Sequence, residues 1–355
     1  MQEVSTLIIG VAGFSWSGSG AVMDYLMEFE ETQVYTPELI LAFHSDGLHD
    51  LDVNLNENCA KFLSSGVAIP RFRKVVKYLL QKRTKGKSKK ITEEYLNQIT
   101  QAKWIGSEQG QMLVRSTWLY RHVGQRLKPA LGKLPQEFCW KYSPYPLSEM
   151  EFSICPDHFL EITQDYVDKI LCVLGLDMNK KIVLNQPFPG NNPIPYMKYF
   201  RNSKAIVVDR DPRDLFVFLK YVIPGEGYSV PLEKVEAFCE YYHHMHKNLS
   251  ATLNSPDVLY IHFEDMVYNF EKTASEIDSF LGLHTHVSPR KYFIPEESEA
   301  NTQVFLKYGK KEETEVIEKR LKQYLYDFSK VEKKNLFNST FDDNPKSANY
   351  SFQKV

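Results

Sequence analysis

The sequence predicts an α/β fold in which a central parallel sheet is flanked by helices and broken by a mainly helical insertion. Three observations predict it. A short apolar run near the start ends in a Gly/Ser turn and passes directly into an amphipathic helical pattern, and three apolar runs beyond residue 180 each lead into a helical pattern or a turn. The stretch between has helical periodicity. The 355 residues are 43% hydrophobic and 25% charged, near the globular averages of about 45–50% and 25%, which excludes a disordered, collagen-like or coiled-coil chain.

Residues 5 to 12 form an apolar run ending in Gly10, Ala12 and Gly13, the pattern of a buried parallel strand before a tight turn. From Ser19, Val22, Tyr25, Leu26 and Phe29 follow at helical spacing. Residues 33 to 43 are a second strand candidate, interrupted by Pro37, which places it at an edge or a bend. From about 55 to 180 the pattern is helical, with Val75, Val76, Leu79 and Leu80 on one face. Residues 71–90 carry Arg71, Arg73, Lys74, Lys77, Lys82, Arg83, Lys85, Lys87, Lys89 and Lys90 and no acid; the run reads as a solvated helix end or as a lid over an anionic ligand. Strand-and-helix order returns at 180–188, 203–221, 257–266 and 270–283, and residues 310–328 read as an amphipathic helix. The expected organisation is one domain over residues 1–337, with the insertion at about 55–180, and a loosely held tail at 338–355.

Lys+Arg of 43 against Asp+Glu of 45 leave a formal charge of −2, so no global field draws the chain to nucleic acid or an anionic membrane, and an anion site must be local. The cysteines, Cys59, Cys139, Cys155, Cys172 and Cys239, are odd in number and lack CxxC or CxxH spacing. That argues against a disulfide framework and a structural zinc site and favours buried thiols in a reducing compartment. The apolar start lacks the basic residues of a secretion signal, and no run approaches the ~20 apolar residues of a membrane span. A cytoplasmic protein is expected.

Two segments carry chemistry. GFSWSGSGAV (13–22), between a strand and a helix, can wrap oxyanions, because glycines let backbone N–H groups turn inward and the helix start adds positive partial charge. Ser15, Ser17 and Ser19 offer hydroxyls. Gly13 and Gly18 have Walker A spacing, but Ser19 and Gly20 follow where Lys and Ser/Thr belong, which argues against an ordinary ATPase or GTPase. In VDRDPRD (208–214), Arg210 stands at the carboxyl end of an apolar strand, where open α/β sheets bind ligands, and its fork can grip a phosphate. Arg210, Arg213 and Asp214 read equally as a capped helix start with local ion pairing.

Together these segments resemble the sulfotransferase family, whose donor is 3'-phosphoadenosine 5'-phosphosulfate (PAPS). SWSGSG (15–20) is similar to the family's PKSGTT-type loop and VDRDPRD to its RDPRD or RNAKD strand end, in the same order. VLYIHFEDM followed by FEKTASEIDSFLGL, and Ser298, Asn301, Thr302 and Lys307, are further likenesses. The resemblance implies a P-loop-like sulfotransferase fold in which Ser15, Trp16, Ser17, Gly18, Ser19, Gly20 and Ala21 hold the 5'-phosphosulfate, Arg210 holds the 3'-phosphate and Lys307 contributes near it, with no metal. Trp16 replaces the family's usual loop cation, and Phe218 stands where a Ser contacts the 3'-phosphate. Lys141, Lys307, Lys310, Lys311 or a member of the 71–90 run could supply the missing charge.

Sulfonyl transfer to an alcohol needs a base. The His that cytosolic members use has no counterpart, since VLNQPF (183–188) offers Asn185 and Gln186. The tyrosylprotein members use a Glu on the strand after the loop helix, which implies Glu38 as the base here, with His44, Asp46 and His49 in reserve. His243, His244 and His246 share too little of one helix face for a metal site. The chain also resembles sulfotransferase-like proteins of commensal gut bacteria, some acting on sterols. The expected acceptor is a hydrophobic, sterol-like alcohol; the alternatives are a carbohydrate acceptor, suited to the basic run, a degenerate donor-binding protein, and a nucleotide kinase using the same loop.

Overall fold

The computed structural model describes residues 6–57, 64–106, 148–225, 229–247, 249 and 254–331. Cys59, Cys139, Lys141 and the tail at 338–355 lie outside the described residues. The chain divides into two compact units: one of Met1–Ile8, Pro37–Ile182 and Ile194–Ser203, the other of Ile9–Thr36, Val183–Pro193 and Lys204–Val355.

In chain order the elements that matter are β1 (Ile8–Gly13), α1 (Ser19–Leu26), β2 (Thr32–Glu38), α2 (Ser64–Leu80), α3 (Lys87–Ile99), β3 (Ala102–Gly106), β4 (Ser148–Phe152), α4 (Phe159–Val173), β5 (Lys181–Asn185), β6 (Ser203–Asp209), α5 (Pro212–Val217), α6 (Val235–His246), β7 (Val258–His262), α7 (Phe263–Tyr268), α8 (Phe270–Leu281), α9 (Val304–Tyr308) and α10 (Lys311–Arg320). The five-stranded sheet has the order β2-β5-β1-β6-β7. β6 and β7 pair in parallel, Ala205 opposite Val258 and Asp209 opposite His262. β5 runs parallel to β1, with Ile182 N–H on Leu7 O and Gln186 N–H on Val11 O, both 2.9 Å. β1 lies in the middle, and its Ile9, Val11 and Ala12 are fully buried, the continuous apolar reading of a strand covered on both faces. β2 is an edge strand and half-exposed, which tolerates Pro37 and its missing N–H. The fold is α/β, a central parallel sheet flanked by helices, as predicted.

Boundaries differ in two places. The strand expected over 33–43 stops at Glu38, and Ile40–Ala42 forms a single 3-10 turn that buries Leu41 and Ala42. The helix expected over 310–328 ends at Arg320. Asp211 takes the backbone N–H of Tyr326 at 3.0 Å, so that donor never reaches a helical carbonyl.

Among its described residues, the unit that contains α2, α3 and α4 is mainly helical and also holds the antiparallel pair β3–β4, Ala102 opposite Phe152. Two five-residue strands joined through residues 107–147 offer no hairpin turn to read. Its core stacks Tyr95 on Tyr166 at 4.4 Å with Phe72 edge-on to both. Arg73 forks to Glu93 and to the buried Glu151, joining α2, α3 and β4. Among the described residues no helix is long and apolar enough to cross a membrane.

Candidate active site

The loop between β1 and α1 turns through three left-handed residues, Ser15 (φ 53°), Trp16 (φ 60°) and Gly18 (φ 94°). Such residues cost roughly 1–2 kcal/mol each when they carry a Cβ, and the turned backbone forms an anion-binding concavity. Gly18 admits no side chain: a Cβ would lie 2.4 Å from the Phe263 ring. The helix start behind it is open, since a Cβ on Gly20 would meet nothing within 4 Å. Ala21 is buried and packs inward.

The three serines do different work. Ser17 is buried; its hydroxyl donates to Val208 O at 2.5 Å and accepts the Phe14 N–H at 2.9 Å, which pins the loop to β6. Ser15 is exposed and bonds the Tyr241 side chain. Ser19 accepts from Gln186 Nε2 at 3.2 Å, while Gln186 Oε1 accepts the Gly13 N–H at 3.3 Å. Gln186, noted in the sequence only as unable to act as a base, bridges the two ends of the loop.

Arg210 meets this loop directly. Its Nη1 donates to Trp16 O at 3.3 Å and its Nη2 to Asn301 O, while Nε is buried without a partner. Arg210 is 3% exposed, and its guanidinium lies between the Phe218 ring, 4.6 Å from its centroid, and the Phe263 ring at 5.4 Å. Phe218 therefore supplies a π face where the family's pattern has a hydroxyl. Trp16 packs at 6.3 Å against the same Phe218. Arg213, three residues on, is occupied: it forks to Asp211, pairs with Glu318 and stacks on Phe305 at 4.3 Å. Asp211 caps α5, accepting the Arg213 N–H at 2.8 Å.

Beneath Arg210 lie two buried acids. Asp214 accepts the N–H groups of Gln303 (2.6 Å) and Phe305 (3.2 Å), and burial raises its carboxyl from 3.8 to about 7 against the pull of Arg210. Glu264 accepts the Asp211 N–H at 2.9 Å; burial, with Asp214 and Asp211 beside it, pushes its carboxyl well above the usual carboxylate range. Lys307 is exposed on α9, its Nζ 5.0 Å from the Tyr308 ring. Thr302 is buried, bonded to Tyr268 and to Glu299 O. Lys310 lies 5.6 Å from the Tyr221 ring and Lys311 pairs with Glu315.

A second buried network supports the strand end. Asp209 receives the Arg210 N–H, the Tyr242 and Tyr260 hydroxyls and His246 Nε2, the last at 2.8 Å. Burial works against its charge, but the His246 and Tyr260 hydrogen bonds prevail and hold it below the usual range. His246 Nδ1 faces Tyr242 O at 2.8 Å, and its ring is sandwiched between Tyr242 and Phe14, at 4.0 and 4.1 Å. Both ring nitrogens face oxygen atoms. His246 thus props the first residue of the loop.

Glu38, His44 and His49 belong to the other unit. Glu38 ends β2 with its side chain exposed, and its carbonyl accepts from Arg83 Nη1 at 2.5 Å. His44 Nδ1 is 2.6 Å from Ser45 O. His49 Nδ1 is 3.1 Å from the Tyr199 hydroxyl, which donates to Asp52 at 2.7 Å. Asp46 pairs with Arg71 at 3.5 Å. The structure brings together the loop, Arg210 and Asn301, and describes the three candidate bases within their own unit.

No family model and no curated protein matches the chain. Solved structures do. A sulfotransferase domain from the curacin biosynthetic pathway is similar over 90% of this chain and 98% of its own, at 12% identity and a TM-score of 0.40. Sulfotransferase STF1 of Mycobacterium tuberculosis H37Rv covers 89% of this chain and 76% of its own, at 12% identity and a TM-score of 0.35. Retinol dehydratase, solved with androsterone and the inactive cofactor PAP, covers 93% and 83%, at 14% identity and a TM-score of 0.34.

Proposed function

We propose that the chain is a sulfotransferase that moves a sulfonyl group from PAPS to an acceptor hydroxyl. One observation carries the reading: the Arg210 guanidinium sits on the carbonyl of Trp16, inside the oxyanion loop, so two anion-binding elements of one donor adjoin. The acceptor oxygen attacks sulfur, the bond from sulfur to the bridging phosphate oxygen breaks, 3'-phosphoadenosine 5'-phosphate leaves, and the acceptor proton passes to a base. The loop from Ser15 to Ala21 would hold the 5'-phosphosulfate through its N–H groups, neutralising charge that develops on the leaving phosphate. Arg210, and with it Lys307, would hold the 3'-phosphate. The residues fit that anion: Nε of Arg210 is buried and unpartnered, and Nη2 is held by the Asn301 carbonyl, which a phosphate must displace. Glu38 is the proposed base, with His44 and His49 in reserve.

Calorimetry with 3'-phosphoadenosine 5'-phosphate tests this reading. The wild type should bind it in preference to ATP with Mg²⁺, and Arg210→Ala should weaken it by roughly ten- to a hundredfold, the worth of a charge-assisted hydrogen bond. Preference for ATP would make the chain a kinase; unchanged affinity in the variant would remove Arg210 from the site. The proposed acceptor is a hydrophobic, sterol-like alcohol. A glycan is the second reading, favoured by the contact of Arg83, within the basic run, with Glu38. Labelled donor given both acceptors decides between them, and a degenerate donor-binding protein yields no labelled product.

A further inference from the structure

The helical turn Leu48–Asp52 buries Leu48, Leu51 and Asp52 and leaves His49 half-buried. His49 and Asp52, three residues apart, share one face of it. The hydroxyl of the fully buried Tyr199 serves both: it donates to Asp52 Oδ2 at 2.7 Å and lies 3.1 Å from His49 Nδ1. Lys198 Nζ pairs with the same Oδ2 at 2.6 Å, and Asn56 Nδ2 donates to Oδ1 at 2.7 Å. All five residues belong to one compact unit. The turn Ile40–Ala42, which begins two residues after Glu38, packs against Leu48–Asp52 in that unit. Apolar faces border the His49 ring, with Tyr196 at 4.7 Å and Phe43 edge-on to Tyr196 at 6.1 Å.

Counting protons fixes the tautomer of that ring. Burial pushes the Asp52 carboxyl up, but the hydrogen bonds from Lys198, Tyr199 and Asn56 prevail and hold it below the usual range, so it only accepts. Burial and Asp52 keep the single hydroxyl proton of Tyr199 on its oxygen, and that proton goes to Asp52. Toward His49 the same oxygen can therefore only accept, so Nδ1 carries the hydrogen and, in the neutral ring, Nε2 keeps the lone pair. Nε2 has no hydrogen-bond partner among the described residues and is open to solvent. A lone pair takes a donor and refuses an anion or a ketone. Water alone would need no chain of buried polar groups to hold the ring rigid. We propose that Tyr199, Asp52 and Lys198 position His49 so that its Nε2 accepts a hydrogen bond from a second hydroxyl of the acceptor molecule, which makes apolar diols the preferred acceptors. The reacting hydroxyl has one proton, and Glu38 is the group proposed to take it; His49 selects the molecule that brings it. The link to an acceptor rests on the sulfotransferase reading, whereas the ring tautomer stands on the unit's own geometry.

The test titrates the full chain calorimetrically with two steroids that differ at one group, androstenediol with a hydroxyl at each end and dehydroepiandrosterone with a ketone in place of one of them. The wild type should bind the diol about tenfold more tightly, the worth of one hydrogen bond made at a site built for it. His49→Phe should bring the two to parity, His49→Gln, whose amide oxygen still accepts, should keep part of the preference, and Tyr199→Phe should reduce it. Nitrogen NMR of the wild-type ring should find the hydrogen on Nδ1, and Tyr199→Phe should move it toward Nε2; this variant also decides the matter should His49→Phe misfold by circular dichroism. Equal wild-type affinities, a preference that survives in a folded His49→Phe, or a wild-type ring with its hydrogen on Nε2 overturns the proposal. Steroid preference and tautomer are both read without donor, so a chain that shows them and fails to bind 3'-phosphoadenosine 5'-phosphate would keep His49 as a hydroxyl-binding residue and defeat the sulfotransferase reading.

Discussion

Arg210 and Arg213 stand three positions apart in one motif, and packing sets them further apart. Arg213 is bound on both sides, by Asp211 and Glu318, whereas Arg210 keeps one buried nitrogen unpartnered and rests on the loop. In sequence the strand end and the resemblance single out Arg210, but that the Arg213 fork is taken is not legible there. Ser17, expected to offer its hydroxyl to an oxyanion, has that hydroxyl on Val208 O, which ties the loop to β6. Glu38, proposed as the base through the resemblance, ends β2 with an exposed side chain. Glu38→Gln should lower turnover by ~10²–10⁴-fold, as for loss of a general base, with donor-product affinity retained. Near-normal turnover in single-turnover assays with labelled donor would move the base to His44 or His49.

At the scale of elements, the segment around Asn301–Phe305 closes over Arg210 because Asp214, inside α5, holds the backbone N–H groups of Gln303 and Phe305. Burial raises Asp214 from 3.8 to about 7. A raised carboxyl favours the folded state below the unfolded value and loses that contribution as pH rises through the folded one. Stability from this group should therefore decline between about pH 4 and pH 7, and urea melts across that window should show a shallower decline in Asp214→Asn, whose amide oxygen still accepts from Gln303. An unchanged pH slope would show that Asp214 does not titrate there. Strand and helix cores were legible as periodicity, down to Val22, Tyr25 and Leu26 on α1. The ends were not, because the carboxylates that accept the Tyr326 N–H past the end of α10 and anchor the 301–305 segment belong to Asp211 and Asp214 at the start of α5, about a hundred residues away in the chain.

Across the molecule, a nucleotide that bound the loop and Arg210 would hold β1, β6 and the 299–303 segment together, and binding to the folded state alone stabilises it. At a hundred times its dissociation constant, 3'-phosphoadenosine 5'-phosphate should add ~2.7 kcal/mol and raise the thermal midpoint by roughly 5 °C, with the shift lost in Arg210→Ala. A scan in which ATP with Mg²⁺ gave the larger shift would favour the kinase. The residues alone establish an α/β chain with a Gly/Ser loop after its first strand and an arginine at a later strand's end, because period, glycine spacing and strand-to-helix order are local properties. Whether that loop and that arginine touch, which serine remains available, and what His246, Gln186 and Phe218 contribute belong to the packed chain. Each depends on partners far off in sequence, and burial alone sets which polar groups are left with bonds to make.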